Sequence, residues 1–233
     1  MCVLWRKGIL RGRRDVRNRW IFIGGIVGKF MGYKLSPSSL NLMKECPRCF
    51  WLTQHRVWKR PAGIFPSLPS GMDRVLKVHF DKFRDKGEMP PELCEDSHCD
   101  NMKLFDDVGK LDVWRNNFKG IVWEDGGNVL RGAIDNILVK DGKLIVLDYK
   151  TRGYPLKEDT AGHYQLQLDV YNFLLRKNGY ESEDYGFLLF YVPREVTETG
   201  EFLFDNNRVC CLGRQEEEKK KIILPCVTSG SVG

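Results

Sequence analysis

No stretch of the 233-residue chain strings together the roughly 18 apolar residues that a membrane span needs. The nearest thing, Trp20 to Gly28, is short and glycine-rich; no small-residue cleavage site follows it, so the arginines before it do not make a secretion signal. There is no glycine-rich phosphate loop, no G-x-S-x-G elbow and no H-E-x-x-H pair, which leaves three common routes to catalysis without residues to run them. Cysteine, by contrast, is plentiful at eight. The spacings do not form a small secreted disulfide scaffold, and a chain of this length can bury one good core without such staples. The composition is that of an ordinary globular protein, 42% hydrophobic and 29% charged. An intracellular, cytoplasmic protein is expected.

The net charge of +6 is unevenly spread. Residues 1–34 carry nine Lys or Arg against one Asp, so the rest of the chain sums to −2. Two readings of residues 1–33 stand open: a basic, loosely packed arm able to bind phosphates by counterion release, or an extension upstream of a start at Met31. Overall charge therefore says little about partners.

What is there centres on residues 130–152, LRGAIDNILVKDGKLIVLDYKTR. Residues 130–140 are largely aliphatic, Asp141-Gly142 is a type I′ hairpin signal, and residues 143–150 alternate. Leu144, Val146, Asp148 and Lys150 fall on one face; Ile145, Leu147 and Tyr149 fall on the other. Asp135 in the partner strand can reach Asp148 and Lys150. Two carboxylates about 4 Å apart repel by roughly 4 kcal/mol at an effective dielectric near 20. A lysine offsets part of that, and a hard divalent cation offsets all of it. The plain alternative is a surface hairpin with a cross-strand Asp–Lys pair worth about 1 kcal/mol or less.

Asp135 followed by Asp148-Tyr149-Lys150 resembles the D…(D/E)-x-K signature of the PD-(D/E)XK nuclease superfamily. Gln167 and Tyr171, four apart on the next helix, are similar to the Q-x-x-x-Y motif of its RecB-type branch, which includes CRISPR-associated exonucleases. Residues 36–52, SPSSLNLMKECPRCFWL, resemble the opening helix of that branch. The resemblance spans residues 34–205. It implies an α/β fold of the restriction-endonuclease type, a mixed central sheet flanked by helices. It also implies a Mg²⁺- or Mn²⁺-dependent (exo)deoxyribonuclease acting on DNA, with single strands or ends as the first choice, in repair, recombination or CRISPR-related processing. Asp135, Asp148 and the Tyr149 carbonyl would hold the metal, with His79 on an earlier helix as a further ligand. Lys150 would orient water or neutralise charge, and Gln167 and Tyr171 would position substrate or the lysine. Arg131 and Arg152 flank this group as candidate phosphate contacts or plain surface charges. Two other readings stay open: a nucleic-acid-binding module that has lost catalysis, and an unrelated small-molecule hydrolase or interaction domain.

Along the chain, Ser36-Pro37 opens a helix that Pro47 should end or kink. Residues 48–58 interleave aromatic and basic side chains, either a core stripe with a solvated face or a surface on which bases stack. Residues 72–86 form an amphipathic helix with Val75, Leu76, His79, Phe80 and Phe83 on one stripe. A short helix is expected over 102–117, a strand over 120–124, a helix over 163–178, a buried strand over 185–192 and an edge strand over 201–204. From residue 206 onward an irregular tail is expected. Cys46 and Cys49 form half of a zinc or iron–sulfur site, which Cys94 and Cys99 would complete as zinc. By resemblance, Cys46 with Cys210, Cys211 and Cys226 is a candidate [4Fe–4S] set, a poor match because Cys210 and Cys211 are adjacent.

Overall fold

The computed structural model describes residues 20–23, 26–29, 32–94, 101–212 and 225–226, with side chains for 32–94 and 101–205. Strands β1 (Trp20–Ile23) and β2 (Ile26–Lys29) pair as an antiparallel hairpin, so part of the expected arm is regular. Strand β3 (Lys34–Leu35) leads into α1 (Pro37–Glu45). Ser36 caps that helix: its hydroxyl accepts from the Ser39 amide, and the Ser39 hydroxyl receives the Ser36 amide in return. Pro47 ends α1 as expected, and α2 (Pro47–Gln54) starts afresh behind it, with Cys46 as its cap.

Helix α3 (Ser67–Lys86) begins earlier than the apolar stripe suggested. Pro69 lies in its first turn, where backbone amides have no intrahelical partner and proline costs nothing. The helix stops at Gly87, which sits at φ +69° in the left-handed region. Its buried stripe is narrower than expected: Leu76 and Phe80 are covered, whereas Val75 is exposed. After α4 (Pro91–Cys94), the segment expected as one helix divides into strand β4 (Lys103–Leu104) and helix α5 (Val108–Arg115), which Asp107 caps.

The aliphatic run at 130–140 also divides. Strand β6 (Asn128–Gly132) pairs antiparallel with β5 (Ile121–Asp125) and parallel with β3, giving a three-stranded sheet. Strand β7 (Asn136–Lys140) belongs to the other sheet, paired antiparallel with β8 (Lys143–Thr151). The chain changes sheets across Ala133, Ile134 and Asp135, and wholly buried Ile134 pins the crossing. Between β7 and β8, Asp141 and Gly142 both have positive φ, the conformation a type I′ turn demands.

A turn of 3-10 helix (Thr160–Tyr164) and α6 (Gln165–Lys177) then carry the chain to β9 (Ser182–Val196), which runs parallel to β8. Strand β10 (Phe202–Leu212) pairs antiparallel with β9 over its whole length, with one irregularity at Leu203/Phe204. Regular pairing thus continues past Asp205, where the irregular tail was expected. The long free edge of β9 supplies partners to a sequence whose own alternation is weak. Strand β11 (Pro225–Cys226) completes a six-stranded mixed sheet of order β11-β10-β9-β8-β7-β4.

Both faces of this sheet are covered, which explains why β8 is apolar on both sides. Leu144 and Val146 pack with Leu168, Tyr171 and Leu174 of α6. Ile145, Leu147 and Tyr149 pack with Leu76 and Phe80 of α3. This is the mixed α/β architecture, sheets flanked by helices, that the sequence implied. No described helix is long and apolar enough to cross a membrane.

Candidate active site

Alternation along β8 sends Asp148 and Lys150 to the α6 face, where they follow Leu144 and Val146 out of the core. Opposite them, the β7–β8 register ends at the pair Asn136–Leu147. One step further, Asp135 faces Asp148, the distance at which cross-strand side chains touch. Asp135 sits at the bend where the chain enters β7, so the sheet change described above is what delivers it.

Asp148 is 1% exposed. Its Oδ1 accepts a 3.0 Å hydrogen bond from Gln167 Nε2, which also donates to the Tyr171 hydroxyl at 2.8 Å. Gln167 and Tyr171 share one face of α6 because they are four residues apart. The Tyr171 ring lies against Gly132, where a Cβ would come within 2.7 Å of it. Asp148 Oδ2 lies in close ion contact with the Lys150 ammonium. Lys150 is held from its other side by the Tyr164 ring, 4.8 Å below its Nζ. Burial first, and the Asp135 charge second, push the Asp148 carboxyl up to about 7; Lys150 restrains the shift without cancelling it. Burial and the Asp148 charge keep the Tyr171 phenol well above the ordinary tyrosine range, so it stays protonated.

Asp135 has a partner that sequence reasoning missed. Lys77 Nζ on α3 is 3.1 Å from Asp135 Oδ1 and 2.8 Å from Asp73 Oδ2. Burial disfavours the Lys77 ammonium, but the Asp135 and Asp73 carboxylates outweigh it and leave its pKa above the usual lysine value. The D-x-x-x-K spacing of Asp73 and Lys77 was the available signal. Also missed was the buried set behind the acids. Arg84 donates to the Phe105 carbonyl, to Asn136 Oδ1 and to Asp81. Arg115 grips both Asp81 oxygens and donates from Nε to the Asp135 carbonyl at 2.8 Å. Asn136 Nδ2 donates to the Tyr149 hydroxyl. The Tyr149 side chain therefore belongs to the α3 face, and only its backbone is left for the acid pair.

His79 does not join the group. Two residues beyond Lys77 on α3, it points about 200° away around the helix axis. Its Nε2 lies 2.9 Å from Glu92 Oε1, which also accepts from the Tyr191 hydroxyl at 2.7 Å, and its ring packs on Phe80 and Phe83. It lines a hollow of about 450 Å³ with Arg74, Val75, Val78 and Lys82, apart from the acids. Arg131 and Arg152 are engaged within the protein, with the Phe118 carbonyl and the Thr160 hydroxyl.

The cysteines are a separate matter. Cys46 and Cys49 stand side by side, Sγ to Sγ 2.8 Å, and Cys46 Sγ accepts from the Cys49 amide. Cys94 is exposed, and Cys99 lies outside the described residues. The side chains of Cys210, Cys211 and Cys226, three of the four candidate cluster ligands, also lie outside them. Among the described residues no group of three or more His, Cys, Asp and Glu forms a metal site.

The acid pair nonetheless fits a hard divalent ion. A buried carboxylate with a single ammonium against it, a second carboxylate opposite, and a pKa that burial and their mutual repulsion raise despite that ammonium together call for a further cation. All donors are oxygens, the ligand type of Mg²⁺ and Mn²⁺, and Mg²⁺ commonly takes only one or two carboxylates and keeps several waters.

No curated protein matches the chain. Among solved structures, that described as the crystal structure of SSO0001 is similar at 16% identity and a TM-score of 0.34, covering 78% of this chain and 69% of that one. A family model matches residues 74–223, a span holding Lys77, Asp135, Asp148, Lys150, Gln167 and Tyr171. The chain belongs to the PD-(D/E)XK nuclease superfamily.

Proposed function

We propose that this protein is a metal-dependent nuclease of the RecB-type branch that hydrolyses phosphodiester bonds of DNA from its ends, as repair, recombination or CRISPR-related processing requires. The observation that carries the reading is the convergence of Asp135, Asp148 and Lys150 at one strand end, with Gln167 bonded to Asp148. Superfamily membership makes a nuclease the natural conclusion; the DNA substrate, the preference for ends and the branch are our own reading.

Asp135 and Asp148, with the Tyr149 carbonyl, would hold Mg²⁺ or Mn²⁺. Such an ion, when bound, lowers the pKa of a coordinated water and polarises the scissile phosphate. Gln167 fixes the Asp148 carboxylate by one oxygen, and the other faces the Lys150 ammonium. Tyr171, as a protonated phenol, holds the Gln167 amide from the far side. Lys150, steadied by Tyr164, places a positive charge where negative charge grows on the phosphate.

The test is digestion of end-labelled single- and double-stranded DNA, with RNA alongside, in Mg²⁺, Mn²⁺ or chelator. Stepwise release from labelled ends with either metal, and none with chelator or in Asp148→Asn, is expected. Full activity in Asp148→Asn would overturn the assignment. Metal-independent DNA binding without cleavage would make the chain the inactive binding module instead.

A further inference from the structure

We infer that Lys77 supplies the second positive charge at the acid pair, so that the centre takes one divalent cation rather than two. The inference rests on the metal-dependent reading above and goes beyond it. Each acid has its own lysine: Lys150 stands against Asp148, and Lys77 stands 3.1 Å from Asp135. Lys77 does not depend on Asp135 for its place. Asp73, one turn before it on α3, holds the ammonium at 2.8 Å, so Lys77 remains at the site when Asp135 turns to a metal. The ammonium is mostly sheltered, its side chain 21% exposed, so water screens its charge little.

With all five groups ionised, Asp73, Asp135 and Asp148 against Lys77 and Lys150 sum to −1, so one divalent ion already takes the cluster past neutrality. A first divalent ion would find two carboxylates set against each other, Asp135 and Asp148. A second would find no third His, Cys, Asp or Glu set with both acids to hold it among the described residues, since Asp73 is engaged by Lys77, and it would face two ammoniums. Two-metal nuclease sites place the ions about 3.5–4 Å apart and use both to stabilise the attacking and leaving oxygens. Here the position nearest Asp135 is taken by an ammonium, which stabilises developing negative charge without needing ligands. Helix α3 thus brings a cation to the centre where a histidine ligand was expected of it.

Titration of the full chain with Mn²⁺, counting bound ion by calorimetry and by the spin signal of free Mn²⁺, tests this. One ion per chain that disappears in Asp148→Asn is the expected result; two that disappear together overturn the inference and leave the nuclease reading intact. No Asp148-dependent ion at all overturns the nuclease reading itself. In Lys77→Met, Mn²⁺ should bind tighter by roughly tenfold, the weight of one nearby like charge, while cleavage at saturating Mn²⁺ falls at least as much. Lys77→Arg should restore the rate. Tighter binding with an undiminished saturated rate would make Lys77 a mere placeholder and overturn the inference, as would weaker binding. Should Lys77→Met not fold, Asp73→Asn removes only the anchor: a slowed rate with one ion retained supports the inference, and an unchanged rate overturns the part given to Asp73.

Discussion

The two faces of the β7–β8 hairpin bury charge in opposite ways. On the α3 side, Arg84, Arg115, Asp81, Asn136 and the Tyr149 hydroxyl bond almost completely to one another, and only Arg115 Nη2 lacks a partner. On the α6 side, Asp148 has one oxygen bonded to Gln167 and the other held only by the Lys150 ammonium, with the Asp135 charge opposing it. A satisfied buried network specifies structure; a buried charge poorly compensated by its surroundings costs stability and is characteristic of sites that bind something else. Asp135 joins the two, its carbonyl held by Arg115 and its carboxylate aimed at Asp148. The α3 side is thus the mount and the α6 side the reactive surface.

If that division holds, changes on the two sides should separate function from folding. Asp148→Asn should lower metal-dependent cleavage on the order of a thousandfold, as loss of a central electrostatic group does. It should leave the denaturation midpoint unchanged or higher, because a poorly compensated buried charge is gone. Arg84→Met should do the reverse in character. It strands Asp81, Asn136 and the Phe105 carbonyl, and should cost about 3–5 kcal/mol in chemical denaturation, with cleavage falling only as far as folded protein is lost. An Arg84 variant that folds normally but cannot cleave would erase the distinction between mount and surface.

The acid side should also show itself in pH. In metal-free protein, Asp148 titrates at about 7 when folded and near 3.8 when unfolded. The native state therefore keeps a proton that the unfolded chain releases between those values. Stability falls as pH rises through that window and levels off above it. A rise from 3.8 to about 7 corresponds to at most about 4 kcal/mol; roughly half is expected once local relaxation is allowed. The measurement is the difference between wild type and Asp148→Asn in chelator at pH 5 and at pH 8. A difference that does not change with pH would mean that Asp148 is not held in this environment.

Which parts were readable beforehand follows from how local each signal is. The Asp141-Gly142 turn and the β8 alternation are set within a few residues, and they carried Asp148, Lys150 and Tyr149 to their correct faces. The Ser36 cap and the Pro47 break are equally local. The split of residues 130–140 into β6 and β7 was not visible, because an aliphatic run looks the same whether it stays in one sheet or crosses to another. What forces the crossing is distant: Gly132 must admit the Tyr171 ring, and Ile134 must fill the core beside α6. Helix α3 failed differently. Its period was right, but two faces of one helix reach different neighbours, and pattern alone could not say that Lys77 rather than His79 meets Asp135. The Arg84–Arg115 network joins residues from α3, α5 and β7, and no spacing announces it.

Gly132 offers a way to disturb the acid side without touching any of its polar groups. An added Cβ would press on the Tyr171 ring and on Leu174 at 3.0 Å. Gly132→Ala should cost about 1–3 kcal/mol, the usual penalty of overpacking, and should slow cleavage by moving the Tyr171 hydroxyl off Gln167.

The smallest effect isolates the orientation of Asp148. Gln167→Leu keeps the bulk of the side chain but removes the donor to Asp148 Oδ1 and to the Tyr171 hydroxyl. The carboxylate loses one bond of the ordinary charged kind, worth about 1.5–3 kcal/mol when intact. Loss of helix packing is small because the replacement is apolar and α6 is well seated. If Gln167 acts by fixing the carboxylate, the damage should fall on metal binding: Mn²⁺ should bind about tenfold more weakly, by the lower part of that range, and cleavage should recover at high Mn²⁺. A rate that stays low at saturating metal would place Gln167 on the substrate instead, which would extend the reactive surface from the strand ends up onto α6.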